Sequence, residues 1–234
     1  MLSACHLGST PYAEALGLQE ALVGAVADRR TGDWLLFPDH PPVLTVGRGA
    51  APGGLIVDRA TLAQRGIEVF EVARGGDITW HGPGQLVGYA ICDLTRDRDL
   101  HRFLRGLESA LIDVLAGYGI EGVRVQGRTG VWVGERKIAS LGIAVRRWVS
   151  YHGFALNVAP DLRFFELIHP CGLRGVRMTS VADLLGAGAP ALAEVRKRAA
   201  HAVARRLERG DVRWVGREAA TQAAREAATA VAAR

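Results

Sequence analysis

The sequence predicts one α+β domain built on a mixed, hairpin-rich β-sheet packed by helices. Three observations carry that expectation. Leu100, Phe103, Leu104, Leu107, Leu111, Val114, Leu115 and Tyr118 recur at helical spacing and stop at Gly119, which marks a long amphipathic helix. Residues 123–158 read as strands, with Gly134-Glu135 and Arg146-Arg147 as hairpin turns. Helices and strands do not alternate strictly, which argues against a doubly wound parallel sheet.

The remaining elements follow in order. Thr10-Pro11 supplies a cap and a first-turn proline ahead of Tyr12, Leu16, Gln19, Leu22, Val23 and Val26, a striped helix stopped near Thr31-Gly32. The apolar runs 34–37 and 43–46 predict two strands joined by a rigid turn, Asp39-His40-Pro41-Pro42. A short helix over 58–64 ends at Gly66, and a strand over 67–72 leads into a polar, glycine-rich loop at 74–85. A strand over 86–94 follows. Residues 190–207 form a second amphipathic helix through Leu192, Val195, Ala199, Val203 and Leu207. We expect a catalytic unit over 1–212 and an Ala/Arg-rich tail over 213–234, which lacks large apolar residues beyond Trp214 and is a poor candidate for the core.

Composition narrows the classes. A chain of 234 residues with 49% hydrophobic and 23% charged content can bury a sizeable core. No apolar run approaches the roughly 18–20 residues of a membrane span, and Met1-Leu2-Ser3-Ala4-Cys5-His6 lacks the pattern of a secretory signal. Three scattered cysteines, without a CxxC pair, exclude a disulfide framework and a zinc ribbon. The expectation is a cytoplasmic protein that binds neither membrane nor nucleic acid, because a net charge of +5 is too modest to indicate either. Of 29 basic residues only two are lysines, Lys137 and Lys197, so each lysine invites a question about its purpose.

Chemistry could sit at three places. The row of glycines in the 74–85 loop lets backbone N–H groups approach a ligand, with Arg74 and His81 at its ends, although a long turn with a satisfied histidine has the same composition. The loop has neither a P-loop nor a Rossmann signature. Cys5 and Cys92 read as buried small hydrophobes. Cys171, in His169-Pro170-Cys171-Gly172, sits on a turn where a thiol can be reached. An ordinary thiol, with a pKa of ~8.5, is little ionised at neutral pH and needs a nearby cation or base to react. Lys137 is the candidate helper, though a lysine at a strand start is ordinarily a solvated edge charge. Beyond it, Ser140, Gly142 and Ala144 share one strand face, as do Gly153 and Ala155 on the next strand, with His152, Phe154 and Leu156 opposite. Two adjacent small-residue stripes fit either a slot for a narrow acyl chain or close packing.

Together these segments resemble the lipoyl(octanoyl) transferases, the lipoate-protein ligase B family. The resemblance rests on Arg74-Gly75-Gly76-Asp77-Ile78-Thr79-Trp80-His81-Gly82-Pro83-Gly84-Gln85, on the 39–48 segment, on Gly134-Glu135-Arg136-Lys137-Ile138-Ala139-Ser140-Leu141-Gly142-Ile143, on 152–158 and on 169–172. It implies the fold of biotin and lipoate ligase catalytic domains and an acyltransferase that needs no cofactor. The donor would be octanoyl-acyl carrier protein. The acceptors would be apo lipoyl domains of 2-oxoacid dehydrogenase complexes and the glycine cleavage H protein. The resemblance makes Cys171 the nucleophile that carries the acyl group as a thioester and Lys137 its acid–base partner. Arg74, Gly75, Gly76, Asp77, Ile78, Thr79, Trp80, His81, Ser140, Leu141, Gly142, Gly153, Phe154 and Ala155 would line the acyl site, with no metal.

Two other readings stand beside it. An ATP-dependent lipoate or biotin ligase of the same fold would use a lysine like Lys137 but has no need of Cys171. A basic binding module would need clustered arginines, for which Arg196, Arg198, Arg205, Arg206 and Arg209 are the candidates.

Overall fold

The computed structural model describes residues 1–51, 53–168 and 176–232, with side chains described as far as residue 226. The predicted helix at 100–118 is α3, Leu100–Ala116. Asp99 caps its start by accepting the Arg102 N–H, and Phe103, Leu107, Ala110, Leu111, Val114 and Leu115 turn inward at the predicted spacing.

The strands of the main sheet are β1 (Leu2–Ser9), β2 (Trp34–Asp39), β6 (Gln85–Ile91), β7 (Val123–Val125), β8 (Arg128–Val133), β9 (Arg136–Arg146), β10 (Val149–Asn157), β11 (Arg177–Met178) and β12 (Val212–Val215). They run in the order β12-β1-β2-β6-β10-β9-β8-β7, and β11, which precedes the short helix α4 (Val181–Leu185), pairs with β9. The pairs β1–β2, β1–β12 and β9–β11 are parallel and the others antiparallel, so the sheet is mixed. Both predicted hairpins form, β8–β9 and β9–β10. Arg147 and Trp148 take up the second turn at positive φ.

Strand alternation sorts the core into two layers. Leu35, Phe37, Leu86, Ala90, Leu141, Phe154 and Leu156 face α3 and α5 (Leu192–Arg206). Leu36, Val87, Tyr89, Ile91, Tyr151 and Ala155 face α1 (Tyr12–Ala27). A central strand buried on both faces reads as continuous apolar sequence, as β6 does. A second sheet, in the order β4-β3-β5 from Glu68–Glu71, Val43–Val46 and Ile78–His81, packs with α2 (Arg59–Gln64) and a 3-10 helix, Leu162–Leu167, around Leu44, Leu62, Trp80 and Phe165.

Three expectations change. The 74–85 segment is not loop throughout: Ile78–His81 within it is β5, paired with β3, to which the Asp39–Pro42 corner carries the chain from β2. Thr10 does not cap α1, since its hydroxyl donates back to the Leu7 and Gly8 carbonyls at 3.3 and 3.0 Å. Residue 213, the expected start of a tail, lies within β12, and the following helix α6 (Arg217–Ala232) packs on α1 with Ala220 and Ala224 in the core. Alanine faces bury close-packed helices without any large residue, which hides them from a hydropathy reading.

Among the described residues no helix is long and apolar enough to cross a membrane. The five candidate arginines of a basic patch are each matched by a carboxylate. Arg196 pairs with Asp39, Arg198 with Glu194, Arg209 with Asp33, and Arg205 and Arg206 both with Asp113. Hydrogen bonds from Arg206 and Arg205 hold the Asp113 carboxyl down at about 2.

Candidate functional site

The glycine loop between β4 and β5 folds back over β9. The Gly75 N–H donates to the Ile143 carbonyl at 2.9 Å, and Arg48 and Gly49 donate to the Arg74 and Gly76 carbonyls. Arg74 fixes the loop from within, donating to the Asp77 carbonyl and to both oxygens of Thr45 at 2.7 Å. The loop roofs a cavity of about 340 Å³, within the roughly 300–1,000 Å³ range of small-molecule sites.

The cavity gathers most of the predicted residues. Arg74, Gly76, Asp77, Ile78, Thr79 and His81 line it from the roof, and Ser140, Leu141, Gly142, Gly153, Phe154 and Ala155 from β9 and β10, with Lys137 at the start of β9. Both readings of the small-residue stripes apply: Ser140 and Ala155 leave space, whereas Gly142 is covered closely by the Gly75 peptide.

Two predicted residues lie elsewhere. Trp80 turns away and is 1% exposed, stacked on Phe164 at 4.9 Å in the small-sheet core. On β5 its neighbours Thr79 and His81 reach the cavity, and strand alternation sends Trp80 to the opposite face. Gly75 spends its N–H on β9 and is absent from the lining. Cys171 lies outside the described residues.

Lys137 is 2% exposed, so it is no solvated edge charge. The β8–β9 register shifts here, with Val131 opposite Ala139 and Trp132 opposite Lys137. The extra residue turns both Ile138 and Ala139 into the α3 core and leaves Lys137 on the cavity side.

The cavity also contains residues that the sequence reading missed: Tyr12, Tyr89, His152 and, at the mouth, Gly49 and Gly127–Thr129. Strand alternation predicts His152 on the face opposite Gly153. It sits instead at φ +58°, a left-handed conformation rare for a residue with a side chain, and this breaks the alternation and brings its ring to the cavity. Its N–H is held by Gln19 Oε1 at 2.8 Å. Tyr12 and Tyr89 belong to patterns that read as a helix stripe and an apolar strand, so their sequence signal is ordinary core.

The histidines and tyrosines here are held neutral by burial. Desolvation pushes His81 down to about 3 and His152 to about 4, helped by the Arg74 charge, and moves His40 the same way. Burial raises the Tyr12 and Tyr89 phenols. The His40 Nδ1–H donates to the Thr10 carbonyl, and its Nε2 accepts from the Tyr89 hydroxyl at 2.7 Å. His81 donates from Nδ1 to Gln85 Oε1 at 2.7 Å; Gln85 donates to Asn157 Oδ1, and Asn157 to the Thr179 carbonyl, each at 3.0 Å. The Thr179 N–H closes the run on the Lys137 carbonyl at 2.9 Å. The thiols of Cys5 and Cys92 are fully buried, and burial pushes Cys5 up to about 11, as inert hydrophobes require.

The mixed sheet between helices, with a glycine loop roofing a cavity that a buried lysine lines, sets the fold and the site side by side for comparison with known catalytic domains. The lipoyl protein ligase A/B catalytic domain model matches residues 11–204, and the chain belongs to that family. An octanoyltransferase of Geobacter sulfurreducens is 49% identical over 181 residues, 77% of this chain and 74% of the relative. One from Gloeobacter violaceus is 53% identical over 168 residues, 71% of this chain and 73% of the relative. The fold is shared with a lipoate-protein ligase A solved with ATP bound, at TM-score 0.75 and 22% identity over 97% of this chain and 94% of that one. A biotin protein ligase of Aquifex aeolicus has TM-score 0.51 at 12% identity over 89% of this chain and 70% of that one. The relatives make this chain an acyltransferase of the octanoyltransferase class.

Proposed function

We propose that the protein moves an octanoyl group from octanoyl-acyl carrier protein to a specific lysine of apo lipoyl domains through a thioester on Cys171, with Lys137 as acid and base. The acceptors on this reading are the lipoyl domains of 2-oxoacid dehydrogenase complexes and the glycine cleavage H protein, and the reaction belongs in the cytoplasm. The observation that carries the reading is a buried lysine lining a roofed cavity of about 340 Å³, in a chain about half identical to octanoyltransferases.

In the first half-reaction the Cys171 thiolate attacks the donor thioester carbonyl. A new C–S bond forms, the bond to the carrier thiol breaks, and the Lys137 ammonium protonates the departing sulfur. In the second, the acceptor lysine attacks the acyl-enzyme. Neutral Lys137 takes a proton from the incoming amine, the C–N bond forms, and Cys171 leaves as thiolate. Thioester exchange is nearly isoenergetic and thioester to amide is downhill, so the obstacle is kinetic. A free lysine has a pKa of ~10.4, and each pKa unit of deprotonation at neutral pH costs about 1.4 kcal/mol. A ligase that first activates free octanoate with ATP has less support, since the relatives near half identity are octanoyltransferases.

The deciding experiment is incubation with octanoyl-acyl carrier protein in the absence of ATP, followed by intact mass. The expected result is one octanoyl adduct on Cys171 that an apo lipoyl domain discharges. Acylation only from free octanoate and ATP would replace the transferase with a ligase.

A further inference from the structure

Arg128, Gly130 and Trp132 occupy alternate positions of β8, the spacing of side chains on one strand face. The middle position has no side chain, and the stem of Lys137 lies there. A Cβ at Gly130 would stand 2.6 Å from Lys137 Cε and 3.2 Å from Nζ, and the backbone φ of +136° is one that glycine tolerates. Lys137 Nζ lies over the Trp132 indole, 5.6 Å from its centroid, and the exposed Arg128 at the cavity mouth shares that ring at the same distance. Trp132 is 1% exposed and directly opposite Lys137 in the strand pair. The backbone of the slot is fixed from behind. The Gly130 N–H donates to Oε1 of Glu108, a fully buried carboxylate of α3, at 2.9 Å, and Arg124 and Arg105 bind the other oxygen at 2.9 and 2.7 Å.

We propose that Gly130 and Trp132 form a cradle that positions the Lys137 amine, the glycine by making room for its stem and the indole by presenting its negative face to the ammonium. A lysine side chain has many rotamers, and an acid–base group acts only within hydrogen-bond reach of its proton, so something must hold it. Glu108 sets the slot, Gly130 admits the stem and Trp132 fixes the head. Neither Gly130 nor Trp132 needs to touch substrate; both are positioning residues. The proposal rests on the acid–base role given to Lys137.

The chain's two lysines make the cradle directly observable. Protein labelled at lysine Cε and Nζ gives two side-chain NMR signals, assigned with a Lys197→Arg variant. The expected result is a Lys137 ε-CH2 signal shifted upfield of Lys197 by the indole ring current. Trp132→Leu should return it to the Lys197 position, and Trp132→Phe should keep part of the shift. In parallel, Trp132→Leu and Gly130→Ala should lower kcat on the order of 10- to 100-fold with little change in donor KM, and Trp132→Phe should restore most of it. Coincident lysine signals in the folded wild-type protein, or a shift that persists in Trp132→Leu, overturn the cradle. Full activity in Lys137→Ala would instead overturn the acid–base reading and leave the ring-current shift standing.

Discussion

The carbonyl oxygen of Gly75 lies over Gly142, 2.6 Å from where a Cβ at residue 142 would stand. Backbone cannot yield there as a flexible side chain could, so the contact ties the roof of the cavity to its floor.

Gly142→Ala should therefore lift the loop. Overpacking of this kind costs about 1–3 kcal/mol. A lowered melting temperature together with a raised KM for the acyl donor is the expected pair of results. A variant as stable and as active as the wild type would show that the loop does not need this contact.

Lys137→Arg keeps the charge but should lose turnover on the order of 10²- to 10⁴-fold, the usual contribution of acid–base catalysis. A guanidinium cannot shed a proton at working pH. Its planar head is also wider than the stem that the space above Gly130 accommodates. Single-turnover kinetics on both half-reactions measures this, and wild-type rates would remove Lys137 from the chemistry.

Cys171→Ser should give no covalent acyl-enzyme by intact mass after exposure to the donor. A serine hydroxyl is a far weaker nucleophile than a thiolate without a dedicated base. An octanoyl adduct that survives in this variant would move the nucleophile to another residue.

Stability should fall as the solution is acidified. His81 and His152 are held at about 3 and about 4, below the ordinary 6.5, because charging them where they are buried means desolvating an imidazolium beside Arg74. Between about 4 and 6.5 the unfolded chain binds protons that the folded chain refuses. Stability is complete above about 6.5 and declines as pH drops through that window. Each such histidine adds up to about 1.4 kcal/mol per pH unit to the slope. His152→Asn, which suits the left-handed backbone, should flatten the decline of the melting temperature between pH 6.5 and 5. An unchanged slope would mean that His152 does not contribute to it.

What could be read from the sequence was whatever repeats or sits in a motif. Leu107 and Leu111 announced α3 because an apolar stripe at helical spacing has few other uses. The small residues of β9 and β10 pointed to a slot or to close packing because strand alternation put them side by side. What escaped was set by single backbone angles and by tertiary choices. His152 enters the cavity through one positive φ, and the burial of Lys137, a residue its motif had singled out, comes from one extra residue in a strand pair. Trp80 is embedded in a motif of cavity residues yet belongs to a neighbouring core. Tyr12 and Tyr89 pack like any aromatic, and only the fold reveals that the Tyr12 ring lies parallel to the His81 imidazole and that the Tyr89 hydroxyl meets His40.

The run of side-chain hydrogen bonds from His81 to Thr179 has a polarity, and that polarity cannot be reversed. Every link donates in the same direction, and the run ends on a peptide carbonyl, which can only accept. Asn157 must therefore present its oxygen to Gln85, and Gln85 must present its own oxygen to the imidazole. A ring flip or tautomer exchange at His81 would leave the Gln85 oxygen without its donor. The imidazole is thereby wired as a fixed dipole with Nε2 as its acceptor end, and the position of one proton is dictated by main chain two side chains away.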